Sequence, residues 1–225
     1  MNYSEPIIMG VLNVTPDSFS DGGKFFDSDL AIEQAKSMVE NGAGIIDIGG
    51  ESTRPGASAV SVNDELNRVI PVIEALKNEI NVPISIDTSK PEVMEQAISS
   101  GALIINDVNA LRAEGALEMA AKLKVDICLM HMQGNPRTMQ KNPSYADVVE
   151  DIKSFFKERI NACQESGIEL SSITLDPGFG FGKNLGHNIA LLKNLSEFHE
   201  FGVSILAGLS RKSMIGTLLG DKDVD

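Results

Sequence analysis

The chain has 225 residues, 42% apolar and 23% charged, which is ordinary for a globular domain and far from disordered or membrane-spanning composition. Nineteen basic against thirty-two acidic side chains give a formal charge of −13, which repels polyanions and argues against nucleic acid as a partner. No window approaches the roughly 20 apolar residues that cross a bilayer.

An anionic small substrate stays allowed where local donors or a divalent metal reverse the sign inside a pocket. The start, Met1 to Pro6, lacks the basic and apolar regions of a signal peptide, so a cytoplasmic setting is expected. The length suits one domain over residues 1–225. Cys128, in the apolar run Val125 to Met130, and Cys163, in a helical segment, read as buried thiols.

Ile7 to Leu12 is the first expected strand, ending at Asn13, and Val14 to Gly23 is a long loop rich in turn formers. A helix is expected from Ser28 or Asp29 to about Asn41-Gly42. Ile45 to Ile48 forms a second strand, followed by the glycine-bounded loop Gly49 to Gly56. The next helix runs from about Asn63 to Asn78, with a kink or shortened first turn expected at Pro71. Ile84 to Ile86 leads to Asp87, with Ser89 as an expected N-cap and Pro91 in the first helical turn. Leu103 to Ile105 ends in Asn106-Asp107, and Asp126 to Met130 ends in His131. A helix is expected from about Ser144 to Ser166. Ile173 to Leu175 delivers Asp176 into a glycine-interleaved turn, Pro177-Gly178-Phe179-Gly180-Phe181-Gly182-Lys183, and Val203 to Ala207 leads to Ser210-Arg211-Lys212-Ser213.

Polar strand ends thus recur at 13, 51, 87, 106, 131, 176 and 210, about every 33 residues, the size of one βα unit. Short continuous apolar strands alternating with amphipathic helices require a parallel sheet covered by helices. Seven such units point to a TIM (β/α)8-type barrel whose eighth βα unit is missing from this sequence, with every polar tip at one mouth. Uncovered barrel edges make a homodimer or a domain swap an expectation.

Asp87, Asn106, Asp176 and Lys212 collect at that mouth. Either they satisfy one another as a buried network, or they face a flat polar heterocycle. In the second case carboxylates accept adjacent N–H groups, the amide gives and takes, and the ammonium donates to an exocyclic oxygen. Phe181 or Met130 would pack on the ring face. Asn13 offers a neutral oxygen suited to Mg²⁺, and Arg54, beside Thr53, a forked donor for phosphate or carboxylate. Asp17 and Asp21 either touch the metal or cap turns. Asp47 and Asp107 suit structural roles. His131 reads as a hydrogen-bonded structural group, and His187 and His199 lack metal-ligand spacing.

Asn13 to Gly23 and Gly49 to Gly56 closely resemble the two signatures of the dihydropteroate synthase family. Ile86-Asp87-Thr88, Asn106-Asp107, Met130 to Pro136, Asp176 to Lys183 and Ser210 to Ser213 are similar to that family's further blocks, in order. The resemblance implies condensation of 6-hydroxymethyl-7,8-dihydropterin diphosphate with 4-aminobenzoate to 7,8-dihydropteroate and pyrophosphate, with Mg²⁺, and competition by sulfonamides. It implies that Asp87, Asn106, Asp176 and Lys212 hold the pterin and Asn13 the metal and diphosphate. Thr53, Arg54, Pro55, Phe19 and Ser210 would lie near diphosphate or aminobenzoate, with Asp87, Lys212 and Arg54 catalytic. The family's Arg-x-His pair on the last strand lies beyond this sequence. A pterin-binding methyltransferase using methyltetrahydrofolate and a non-catalytic pterin-binding fragment are the competing readings.

Overall fold

The computed structural model describes residues 5–15, 28–52, 58–135, 138–220 and 222. Within them seven strands, β1 (Ile8–Asn13), β2 (Ala43–Gly49), β3 (Ile84–Asp87), β4 (Ile104–Asp107), β5 (Asp126–Met130), β6 (Ile173–Asp176) and β7 (Ser204–Ile205), pair in chain order. Every pairing is parallel. A helix follows each strand: α1 (Ser28–Glu40), α2 (Val62–Leu76), α3 (Pro91–Ser100), α4 (Ala116–Leu123), α5 (Val148–Glu165), α6 (Leu185–Lys193) and α7 (Ser213–Leu218). This is the expected barrel-type α/β architecture. β1 and β7 form its two edges, and Ile8 and Val11 are exposed on β1.

The strands alternate. One face of each, carrying Leu12, Ile46, Ile48, Ile86, Ile105 and Leu175, packs on the helices through Ala35, Val69, Ile73, Val93 and Phe156. The other face lines the barrel interior. Because the hydrophobic residues serve the helix layer, the interior is free to carry polar groups at the strand ends.

Some boundaries differ from expectation. α2 runs unbroken through Pro71, giving up one backbone donor. α5 begins at Val148, four residues later than expected. Ser144 is already engaged, its N–H donating to Gln133 Oε1 and its carbonyl accepting from Gln133 Nε2, while the Asp147 carboxylate caps Val149 and Glu150. Ser89 does not cap α3. Its hydroxyl donates to Asp107, and Lys90 holds the N-cap position ahead of Pro91. β7 is two residues long, so Ser210 lies well past its end.

Phe156 anchors the outer layer, fully buried with its ring centroid 5.6 Å from Phe155, 5.9 Å from Phe198 and 6.3 Å from Phe201. Phe156→Ala should cost about 3–5 kcal/mol, read as a lower midpoint in urea unfolding. A loss below ~1 kcal/mol would mean that α5 does not close this core.

Candidate active site

Register determines which side chains look inward. Asn13, Gly49, Asp87 and Asn106 are successive partners across β1 to β4, and Cys128 continues the row on β5. One row deeper lie Val11, Asp47, Ser85 and Ile104. One row nearer the mouth, Met130 faces Asp176. Asn13, Asp87, Asn106, Met130 and Asp176 therefore open on the same interior, as expected. A Cβ built on Gly49 would lie 3.4 Å from Asp87 Oδ2 and 3.8 Å from Asn13 Oδ1, which places those two side chains on either side of one backbone point.

The interior is acidic and poorly paired. Asn106 Nδ2 donates to Asp47 Oδ2 at 2.9 Å, which fixes the amide and leaves its carbonyl oxygen for another donor. Asp47 and Ser85 are cross-strand neighbours with their side chains buried, and the Ser85 hydroxyl and the Asn106 amide only partly offset the burial that raises the Asp47 carboxyl. Burial pushes the Asp87 carboxyl well above the usual range, and the charges of Asp47, Asp107, Glu65 and Glu51 add to the effect. Burial also raises Asp176, to about 6, against the Gly178 N–H, which donates to Asp176 Oδ1 at 2.8 Å, and against Lys212 and Lys183. Burial pushes up the thiol of Cys128, and the charges of Asp176, Asp47 and Asp87 add to the effect. Asp107 faces the other way and is structural, accepting from the N–H groups of Asn109 and Leu111 at 2.8 Å each.

Lys212, partly buried, stands with Nζ 4.3 Å from the Phe181 ring centroid. Burial lowers its pKa and Asp176 opposes that shift. Met130, Met132 and Met139 form a separate apolar cluster with Val108 and Phe181, so the expected ring-face walls adjoin the polar tips. Ser210 is exposed between β7 and α7. Phe19, Thr53, Arg54 and Pro55, with Asp17 and Asp21, lie outside the described residues.

The loop after β6 is held by a residue whose role its sequence context does not announce. Lys183 is 3% exposed, and its Nζ donates to the carbonyls of Gly178 (2.9 Å), Phe181 (2.9 Å) and His131 (3.2 Å). It also lies 3.0 Å from His131 Nδ1. Burial lowers Lys183 to about 7 and His131 to about 2, so the histidine is a neutral structural group, as expected. Gly178 crosses so close to the β5 end, at φ +70°, that a Cβ there would lie 2.0 Å from the His131 carbonyl oxygen. Tyr145 Oη donates to Gly182 O at 2.8 Å and Gln140 to Gly180 O, so the segment after β5 closes over the glycine turn. Among the described residues no three His, Cys, Asp or Glu side chains group as a metal site, and no helix is long and apolar enough to cross a membrane.

Seven parallel strands that gather polar tips at one mouth form an α/β barrel-type protein with its candidate site at the strand ends. The sequence profile described as "Pterin binding enzyme" matches residues 9–225, and the chain belongs to that family. Within the family it falls among the dihydropteroate synthases, which are transferases. The Escherichia coli (strain K12) dihydropteroate synthase is 55% identical over 219 residues, which is 97% of this chain and 78% of that protein. The Yersinia pestis dihydropteroate synthase, solved with a sulfonamide drug complex, superposes with a TM-score of 0.92 at 53% identity, covering 97% of this chain and 80% of that one. The Xanthomonas albilineans enzyme in complex with 7,8-dihydropteroate gives 0.88 at 46% identity, covering 99% and 79%.

Lys183→Met keeps the apolar stem and removes the ammonium from three carbonyls. It should destabilise the protein by about 2 kcal/mol, read as a lower urea midpoint. An unchanged midpoint would show that the glycine turn holds itself.

Proposed function

We propose that this chain, as a single pterin-binding domain, condenses 6-hydroxymethyl-7,8-dihydropterin diphosphate with 4-aminobenzoate. The bond between the pterin methylene carbon and the diphosphate oxygen breaks, and a bond from that carbon to the aniline nitrogen forms. The nitrogen loses a proton, and pyrophosphate leaves. The observation that carries the reading is that Asp87 and Asn106, with Asp176 one row nearer the mouth, face one interior as acceptors in a low-dielectric setting with few donors of their own. A pterin edge rich in N–H groups supplies those donors. The bound 7,8-dihydropteroate in the Xanthomonas albilineans relative supports the product assigned here.

In this reading Asp176, Asn106 and Lys212 hold the ring edge, while Phe181 and Met130 wall its faces. Asp87 acts by charge. Its ionised form is disfavoured in the unliganded interior and becomes favoured as positive charge develops on the ring during departure of pyrophosphate, so its effect is greatest in the transition state. Arg54 takes charge on the departing group, and Thr53, Pro55, Phe19 and Ser210 border the diphosphate or the aminobenzoate. Such an acidic mouth repels a diphosphate, so a counter-charge is needed. Asn13 fits magnesium arriving with the substrate: it offers a hard neutral oxygen, exposed at the β1 tip beside Gly49. When bound, the ion neutralises the leaving diphosphate.

Sulfonamides would compete with aminobenzoate. The reading also carries a cytoplasmic setting and pairing into a homodimer, for which exposed Ile8, Leu218 and Leu219 offer apolar surface.

Incubation with the dihydropterin diphosphate, 4-aminobenzoate and Mg²⁺ should release pyrophosphate in step with dihydropteroate. Pterin binding without release would reduce the function to a binding module. Because Asp176 titrates at about 6 in the free protein, pterin affinity in calorimetry should hold level above that pH. Below it, affinity should fall by up to about tenfold per unit as the acceptor is protonated. Asp176→Ala should abolish binding; a flat pH profile with retained affinity would remove Asp176 from the site.

A further inference from the structure

The loop between β2 and α2 is gripped at both stems by groups outside the pterin row. Glu51 lies two residues past the end of β2. Its Oε1 accepts from the Val60 N–H at 3.3 Å, and its Oε2 accepts from Lys90 Nζ, so one carboxylate ties together both ends of the segment that carries residues 53–57. Lys90 Nζ also donates to Glu65, in the first turn of α2, whose side chain is fully buried. Arg68, one turn along α2, donates from Nη1 to the Gly50 carbonyl at 2.7 Å. Gly50 is pressed against the same helix, where a Cβ would lie 2.8 Å from Val69 Cγ1 and 2.9 Å from Glu65 Cγ.

Lys90 is thus shared by two carboxylates from two different elements, three residues beyond Asp87. Without it, Glu51 and Glu65 would face each other as like charges in a partly buried site, and the stems would part. Glu65 Oε1 has no partner among the described residues, so the buried pair is imperfectly compensated. A buried ion pair of this kind adds little net stability compared with apolar packing, so its consequence here is geometric.

We propose that Lys90, held between Glu51 and Glu65, is a positioning residue that sets the stems of the β2–α2 loop for the diphosphate and aminobenzoate half of the reaction and takes no part in holding the pterin. The inference rests on the function proposed above, in which Thr53, Arg54 and Pro55 serve that half.

The test compares Lys90→Met, Lys90→Arg and Glu51→Gln in the whole chain by steady-state kinetics, with calorimetry of 6-hydroxymethylpterin. Lys90→Met should raise the KM for aminobenzoate about tenfold or more, the scale set by a misplacement of well under 1 Å. The pterin dissociation constant should stay within error, and Lys90→Arg should restore most of the KM. Glu51→Gln, which keeps the hydrogen-bond acceptor but removes the charge, should shift KM in the same direction by a smaller factor and serves if Lys90→Met does not fold. An unaltered aminobenzoate KM in a folded variant, or pterin affinity that worsens in parallel with it, overturns the positioning role. Absence of pyrophosphate release by the unsubstituted chain overturns the functional reading itself, and this inference with it.

Discussion

Parallel pairing from β1 to β6, in constant register from Met9 onward, forces residues of one parity to share one interior, and acids gather at its mouth. Asp47 and Asp87 stand in adjacent rows, Asn106 beside them and Asp176 nearer the mouth. Each carboxyl is raised by burial, and Asp87 is raised further by its acidic neighbours. A low-dielectric cluster of like charge costs stability unless protons or ligand donors offset it. The outer face of the same strands, packed on helices, holds the cluster in place.

This arrangement accounts for the division of labour around the mouth. In the proposed function the ring site is built on strand ends, and its walls come from the Met130 cluster and from Phe181 on the stapled glycine turn. Lys212 rests over that same phenylalanine, so the turn organised by Lys183 also places the ammonium. In the proposed reaction the charged half of the substrate falls to Asn13, at the tip of β1, and to the residues that follow β2. Under the proposed function a net charge of −13 opposes that half of the chemistry, which is why the proposal calls on magnesium and Arg54 as local counter-charges.

Much of this was legible in the sequence because continuous apolar runs ended by a polar residue mark buried parallel strands and their tips. Asn13, Asp87, Asn106 and Asp176 could be picked out on that basis, and register brings them together. Features that depend on a distant partner were not legible. Ser144 sits where a helix could start, yet Gln133 engages its backbone. Ser89 precedes a proline as an N-cap would, yet Asp107 takes its hydroxyl. Lys90, Glu65 and Lys183 look like ordinary surface charges until folding buries them among acids or carbonyls. Asp47 carries no motif of its own; only the register places it one row below Asp87 and under Asn106.

The most direct test of the central claim is a structure of the chain with a dihydropterin bound. The expected result is a single ring whose N–H edge meets both the Asp176 carboxylate and the Asn106 carbonyl, with the Asp87 carboxylate at hydrogen-bond distance from the same ring. A ring bound elsewhere, or one that leaves Asp87 and Asp176 on separate cavities, would contradict it.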